Sequence, residues 1–186
     1  MRLFVALQIP NDVRETIAQL IRELMPLDNS WKWTRAENLH VTLKFLGETP
    51  QEKLRRICET LRSVPCAWPI PISFRGLGFF PNERRPRVLW IGMEAPPTLT
   101  ELAASTEDAL AGIGMPREER AFTPHLTLAR SKDGGLSEKM RTALAKYASG
   151  QFDVMNASAF HLIESKLKST GAEYTTLESF SGANQS

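Results

Sequence analysis

Apolar residues recur along this chain with two periods. Residues 2–9, RLFVALQI, form an almost unbroken apolar run of strand length that Pro10 stops, the pattern of a strand covered on both faces. Val13, Ile17, Leu20, Ile21 and Leu24 then fall at helical spacing up to Pro26, with Asp12 and Glu15 as a D-x-x-E capping pair. Alternation returns at Trp31-Lys32-Trp33 and again in the strand that Gly47 ends. Thr49-Pro50-Gln51-Glu52 predicts a helix start, and Leu54, Ile57, Cys58 and Leu61 make its apolar stripe. Residues 72–80 and 86–93 read as two strands of a hairpin with a basic tip at 81–85. A third capping box, Thr98-Leu99-Thr100-Glu101, opens a helix that the Gly112 and Gly114 region stops. Another strand precedes Gly134-Gly135, and a helix from about Ser137 carries Met140, Leu144 and Tyr147. Residues 151–168 hold one or two strands, and 172–180 a last one.

Helix and strand alternate, yet helix-free hairpins recur, so an α+β protein with antiparallel sheets and helices on the outer faces fits better than a doubly wound parallel sheet. With no low-complexity segment or linker, residues 1–182 are expected to form a single domain and 183–186 a loose tail.

One pattern occurs twice. Leu39-His40-Val41-Thr42-Leu43-Lys44-Phe45 is echoed 85 residues later by Pro124-His125-Leu126-Thr127-Leu128-Ala129-Arg130. In a strand the side chains alternate between faces, so His40 and Thr42 share one face, and His125 and Thr127 share another. Similar helix and strand units flank each copy, which points to an internal duplication into two lobes.

Composition narrows the chemistry. The 186 residues, 42% hydrophobic and 24% charged, are enough to bury a core without metal or disulfide staples. A net charge of +2 means that affinity for an anion must come from the placement of basic residues. The N-terminal residues show neither a signal-peptide cleavage pattern nor an apolar run able to cross a bilayer, so a soluble cytoplasmic protein with no membrane partner is expected. Cys58 and Cys66 lack a CxxC spacing and read as reduced thiols.

Imidazole exchanges protons near neutral pH, and two of them can act as an acid and base pair. Were the lobes related by a two-fold axis, one histidine would stand on each side of a reacting phosphorus. Thr42 and Thr127 would then hydrogen-bond the non-bridging oxygens. No HExxH, HxH or Cys/His metal spacing and no GxSxG occurs, so no cofactor, no metal and no serine or cysteine nucleophile is expected. His161, the third histidine, lacks a threonine partner and reads as structural or surface.

With these motifs the chain resembles the two-histidine phosphoesterase superfamily, and within it the RNA 2′,3′-cyclic phosphodiesterases historically called 2′-5′ RNA ligases. The resemblance rests on RLFVALQIP, WKWTRAENLHVTLKFLGE, GLGFFPNERRPRVLWIG, FTPHLTLAR and LIESKLKSTGAEYTTLESF. It implies a bilobal fold with the motifs lining a central cleft, and metal-independent hydrolysis of RNA 2′,3′-cyclic phosphate ends to 2′-phosphomonoesters. It also implies His40 as proton donor, His125 as proton acceptor, Thr42 and Thr127 on the phosphate, and Arg130 adding charge there. Strand parity puts Arg130 opposite His125, so its role needs the strand to end or twist.

On the substrate side, Lys32, Lys44, Arg35, Arg75, Arg84, Arg85 and Arg87 are candidates for a basic rim, with Trp33, Phe45 and Tyr174 as candidate substrate contacts. The closing segment carries Glu173 and Thr176 around Tyr174 where the family often has a basic residue and a proline. Parity groups Phe45 with Val41 and Leu43, which favours the core for it. The partners expected are an RNA end with a cyclic phosphate or a small cyclic nucleotide, met by a monomer. The alternatives are the reverse reaction, 2′-5′ RNA ligation, and a non-catalytic RNA- or nucleotide-binding module.

Overall fold

A computed structural model of the chain describes residues 1–169 and 171–181. Strand β1 (Arg2–Gln8) leads into helix α1 (Asn11–Leu24), short strand β2 (Trp31–Trp33) and the first motif strand β3 (His40–Glu48). Helix α2 (Leu54–Arg62), the hairpin of β4 (Ile70–Phe80) and β5 (Val88–Glu94), and helix α3 (Pro97–Ala111) follow. The second motif strand β6 (His125–Ser131), helix α4 (Glu138–Ala145) and strands β7 (Gln151–Ala157), β8 (Ala159–Lys168) and β9 (Gly171–Ser181) complete the described chain. The apolar stretch at 151–168 thus resolves into two strands, and the expected tail at 183–186 lies outside the described residues.

Two antiparallel sheets result, in the orders β3-β1-β8-β9 and β2-β6-β5-β4-β7. Setting β2 aside, the two orders are the same arrangement twice, with each motif strand beside a partner that pairs in the same register. In the first sheet Gln8 faces His40, Ala6 faces Thr42 and Phe4 faces Phe45. In the second Gly92 faces His125, Trp90 faces Thr127 and Val88 faces Arg130. Leu3, Val5 and Leu7 of β1 join Leu89 and Ile91 of β5 in one buried cluster that runs through both sheets. The other face of β1 packs Phe4 and Ala6 with Ile163 and Tyr174, so β1 is covered on both sides.

Helix α1 buries Val13, Ile17, Leu20, Ile21 and Leu24, the stripe that its spacing predicts. The three capping boxes are not used. Pro10 and Pro96 stand at the N-caps of α1 and α3 without a side-chain cap, and the Pro10 and Pro96 carbonyls take the amides of Arg14 and Leu99. Thr49 donates its hydroxyl to the Gly47 carbonyl at 3.2 Å, and a 3-10 turn at Gln51–Lys53 precedes α2. Proline fixes φ and lacks an N–H, so it sets the entry and displaces the expected cap. Only at α4, among the described helices, does a side chain cap the start: Ser137 accepts from the Met140 amide at 3.2 Å.

Gly78 has a packing role. It pairs with Trp90 across β4 and β5, and a Cβ there would enter the indole ring. Gly78→Ala is expected to displace Trp90 and lower stability by about 1–3 kcal/mol, the usual cost of overpacking. Urea unfolding followed by tryptophan fluorescence measures both effects.

Candidate active site

The two motif strands each carry a β-bulge directly after the threonine. In β3 the register slips so that Ala6 faces Thr42 and Val5 faces Lys44, leaving Leu43 as the extra residue. In β6 Trp90 faces Thr127 and Leu89 faces Ala129, leaving Leu128 as the extra one. An inserted residue reverses the alternation of everything beyond it. Leu43 and Lys44 are therefore both buried, as are Leu128 and Ala129, while Phe45 and Arg130 come round to the histidine face.

Parity alone misplaces Phe45, which is 57% exposed rather than in the core. The twist that Arg130 needs is supplied by the bulge. Both residues line one cleft of about 1370 Å³ together with Thr42, Phe80, Arg87 and His125. Thr127 lies two residues after His125 on β6, half-buried.

Each histidine is held in the same way. His40 Nδ1 lies 2.7 Å from the Asn38 carbonyl, and His125 Nδ1 lies 2.7 Å from the Thr123 carbonyl. A carbonyl only accepts, so in both rings Nδ1 carries hydrogen and Nε2 is left to exchange a proton. Aromatic rings flank each imidazole. Phe4 and Tyr174 stand 4.7 and 5.3 Å from His40 between ring centres. Phe80 and Trp90 stand 4.9 and 6.4 Å from His125. The sequence pattern missed Phe4 and Trp90, because nothing separates an aromatic residue on a strand's site face from one in its core.

Burial pushes the His40 imidazole below the usual histidine range; the Asn38 carbonyl opposes this, and the charges of Arg130 and His125 add to it. The same Arg130 acts on Tyr174, whose phenol burial pushes up. Arg130 stands on β6 of the other sheet, and its charge is felt at both groups. Arg130→Gln is expected to move the His40 titration midpoint upward, since a cation that disfavours imidazolium is gone. Ring-proton NMR across pH measures this, and an unmoved midpoint would remove Arg130 from the His40 environment.

Other candidates go elsewhere. Lys44 is not on a basic rim: its ammonium is buried and bonds both Glu107 carboxylate oxygens at 2.8 and 2.7 Å, because the bulge turned it inward. Trp33 packs against the main core beside β6 and lines neither described cavity. His161 bonds the Ser179 hydroxyl at 2.9 Å. Burial and Glu178 push the Cys58 thiol up to about 11, which keeps it protonated and poorly nucleophilic. Among the described residues no group of three His, Cys, Asp or Glu side chains is placed to hold a metal ion.

The model of the LigT like Phosphoesterase family matches this chain twice, over residues 7–90 and 91–174, one histidine motif in each half. The chain belongs to that family. A relative from Archaeoglobus fulgidus, named RNA 2′,3′-cyclic phosphodiesterase, is 39% identical over 180 residues, covering 97% of this chain and 99% of its own. One of the same name from Methanothermobacter thermautotrophicus is 34% identical, with 97% and 98% covered. Among solved structures, TT0787 of Thermus thermophilus superposes with a TM-score of 0.83 at 32% identity, covering 97% of each chain. E. coli LigT complexed with 3′-AMP gives 0.79 at 27% identity, with 97% of each covered. Each match carries one histidine strand of this LigT-like phosphoesterase, while each sheet draws its strands from both halves.

Proposed function

We propose that this chain hydrolyses 2′,3′-cyclic phosphate ends of RNA to 2′-phosphomonoesters, with His40 as proton donor and His125 as proton acceptor. The observation that carries this is the double placement: two Nδ1-anchored imidazoles on equivalent strands, with Thr42, Phe45, His125 and Arg130 lining one cleft. The relatives' shared name supports the substrate.

The cyclic phosphate lies between the two motifs, its non-bridging oxygens held by Thr42, Thr127 and Arg130. His125 Nε2 takes a proton from a water as the water oxygen bonds to phosphorus. The P–O3′ bond breaks on the opposite side, and His40 Nε2 gives its proton to O3′. The 2′ oxygen keeps the phosphate, the 3′ oxygen becomes a hydroxyl, and proton exchange with solvent resets the pair. His40 must start charged although its surroundings favour the neutral ring. The substrate's negative charge, set against Arg130, restores the imidazolium.

Phe45 supplies an exposed ring for the terminal base, a stack worth about 1–3 kcal/mol. Tyr174, edge-on to His40, holds that imidazole's orientation. All these groups come from one chain, so a monomer is a complete catalytic unit. No described helix is long and apolar enough to cross a membrane.

The test is incubation of an RNA oligonucleotide ending in a 2′,3′-cyclic phosphate, in excess EDTA, with the product end identified. A 2′-phosphomonoester is expected. Tight binding without product would make the protein a binding module, and a 2′-5′ junction formed with a 5′-hydroxyl acceptor would make it a ligase.

A further inference from the structure

Beside His40 lies a second cavity of about 100 Å³ that shares no lining residue with the large cleft. Gln8, Arg14, Asn38, His40, Tyr174 and Thr176 line it. It is a small fraction of the large cleft's volume and has room for a group the size of one phosphate.

Its place on the sheet gives it meaning. Along the paired strands β1 and β3 the order is Phe45 opposite Phe4, Thr42 opposite Ala6, then His40 opposite Gln8, and the cavity adjoins that last pair. A nucleotide has a matching covalent order. The base is on C1′, O2′ on C2′ and O3′ on C3′; C4′ follows and carries C5′ and the 5′ oxygen. With the base on Phe45, the phosphate at Thr42 and O3′ at His40, the chain leaves on the cavity side.

The cavity is built for an anion. Arg14 is fixed by Nη2 donating to the Ile9 carbonyl at 2.9 Å and Nη1 to Asn11 Oδ1 at 3.2 Å. Its Nε–H is buried without an acceptor, and among the described residues no carboxylate pairs with it. Thr176 Oγ1 accepts from the Gln8 amide at 2.7 Å, so its own hydrogen is free to donate. The Tyr174 phenol, pushed up by burial, keeps its O–H. Glu37, the one carboxylate in the lining, lies 3.8 Å from the Arg35 guanidinium.

We infer that this cavity is the subsite for the phosphate on the 5′ side of the terminal nucleotide, so that the enzyme reads the end of an RNA chain rather than a free cyclic mononucleotide. The inference rests on the proposed assignment of His40 to O3′.

Three probes test it: adenosine 2′,3′-cyclic phosphate, the same compound with a 5′-phosphate, and a diribonucleotide ending in the cyclic phosphate. The unmodified protein is expected to favour the last two by about tenfold or more in kcat/KM, the scale of charge-assisted hydrogen bonds. Arg14→Gln and Thr176→Val each remove most of that advantage and leave the first probe's rate unchanged. Thr176→Val covers the case in which Arg14→Gln unsettles the start of α1. No preference in the unmodified protein, or an equal loss on all three probes, overturns the subsite. Affinities for adenosine 2′,5′-bisphosphate and adenosine 2′-phosphate, compared in the same variants, decide the subsite without turnover. Inert probes with that affinity difference intact would sink the hydrolase reading alone.

Discussion

His40→Ala and His125→Ala are each expected to lower turnover of an RNA 2′,3′-cyclic phosphate by about 10²–10⁴, the contribution of a positioned general acid or base. The loss should fall mainly on kcat, because the phosphate contacts proposed for Thr42, Thr127 and Arg130 are left in place. The double variant should lose less than the product of the single losses, since the two rings serve one displacement and neither completes it alone. Single-turnover kinetics on the oligonucleotide measures each loss. Retention of the wild-type rate in either variant would remove the acid and base pair. A leaving group better than the ribose 3′ oxygen should restore much of the activity of His40→Ala and none of that of His125→Ala, which separates donor from acceptor.

Lys44→Met is expected to destabilise the fold by about 3 kcal/mol or more, because it leaves a largely buried carboxylate without its counter-charge. The Lys44 and Glu107 side chains are 2% and 20% exposed. Lys44 also bonds the Pro116 carbonyl at 2.8 Å, and Glu107 Oε1 accepts from the Glu118 amide at 3.1 Å. The pair thus ties β3 and α3 to the segment whose residues Arg117, Glu118, Glu119, Arg120 and Ala121 line the cleft and which leads into His125. Exchanging both partners for apolar residues, Lys44→Met with Glu107→Leu, should recover much of the stability, since no lone charge is then buried. KM should stay high in the double variant, because the segment has lost its anchor. Urea unfolding with steady-state kinetics on the same samples separates the two effects, and normal stability in Lys44→Met would show that the pair carries no net weight.

The reason Lys44 is a strut rather than a rim cation also explains what was legible beforehand. Helix stripes, apolar strands and the two His-x-Thr repeats are local patterns, fixed by the 3.6 and 2.0 periods of the backbone. They are enough to predict the α+β class and the element order, and they single out His40 and His125 as the candidate pair. Local spacing does not give the helix entries at Asp12, Thr49 and Thr98, where proline carbonyls take the first amides in place of side chains.

The sequence by itself determined which residues could carry acid, base and phosphate contacts, because the type and spacing of His40, Thr42, His125 and Thr127 are local facts. Only the tertiary structure decided that Phe45 and Arg130 share the histidine face and that Lys44 does not. Each bulge exists through register with a distant strand, β3 against β1 and β6 against β5. Alternation within one strand cannot reveal an insertion that is defined against its partner. The same is true of the rings around the imidazoles and of the cavity at Gln8 and Thr176. These come together by strand pairing across most of the chain, so their roles follow from topology rather than from any stretch of residues.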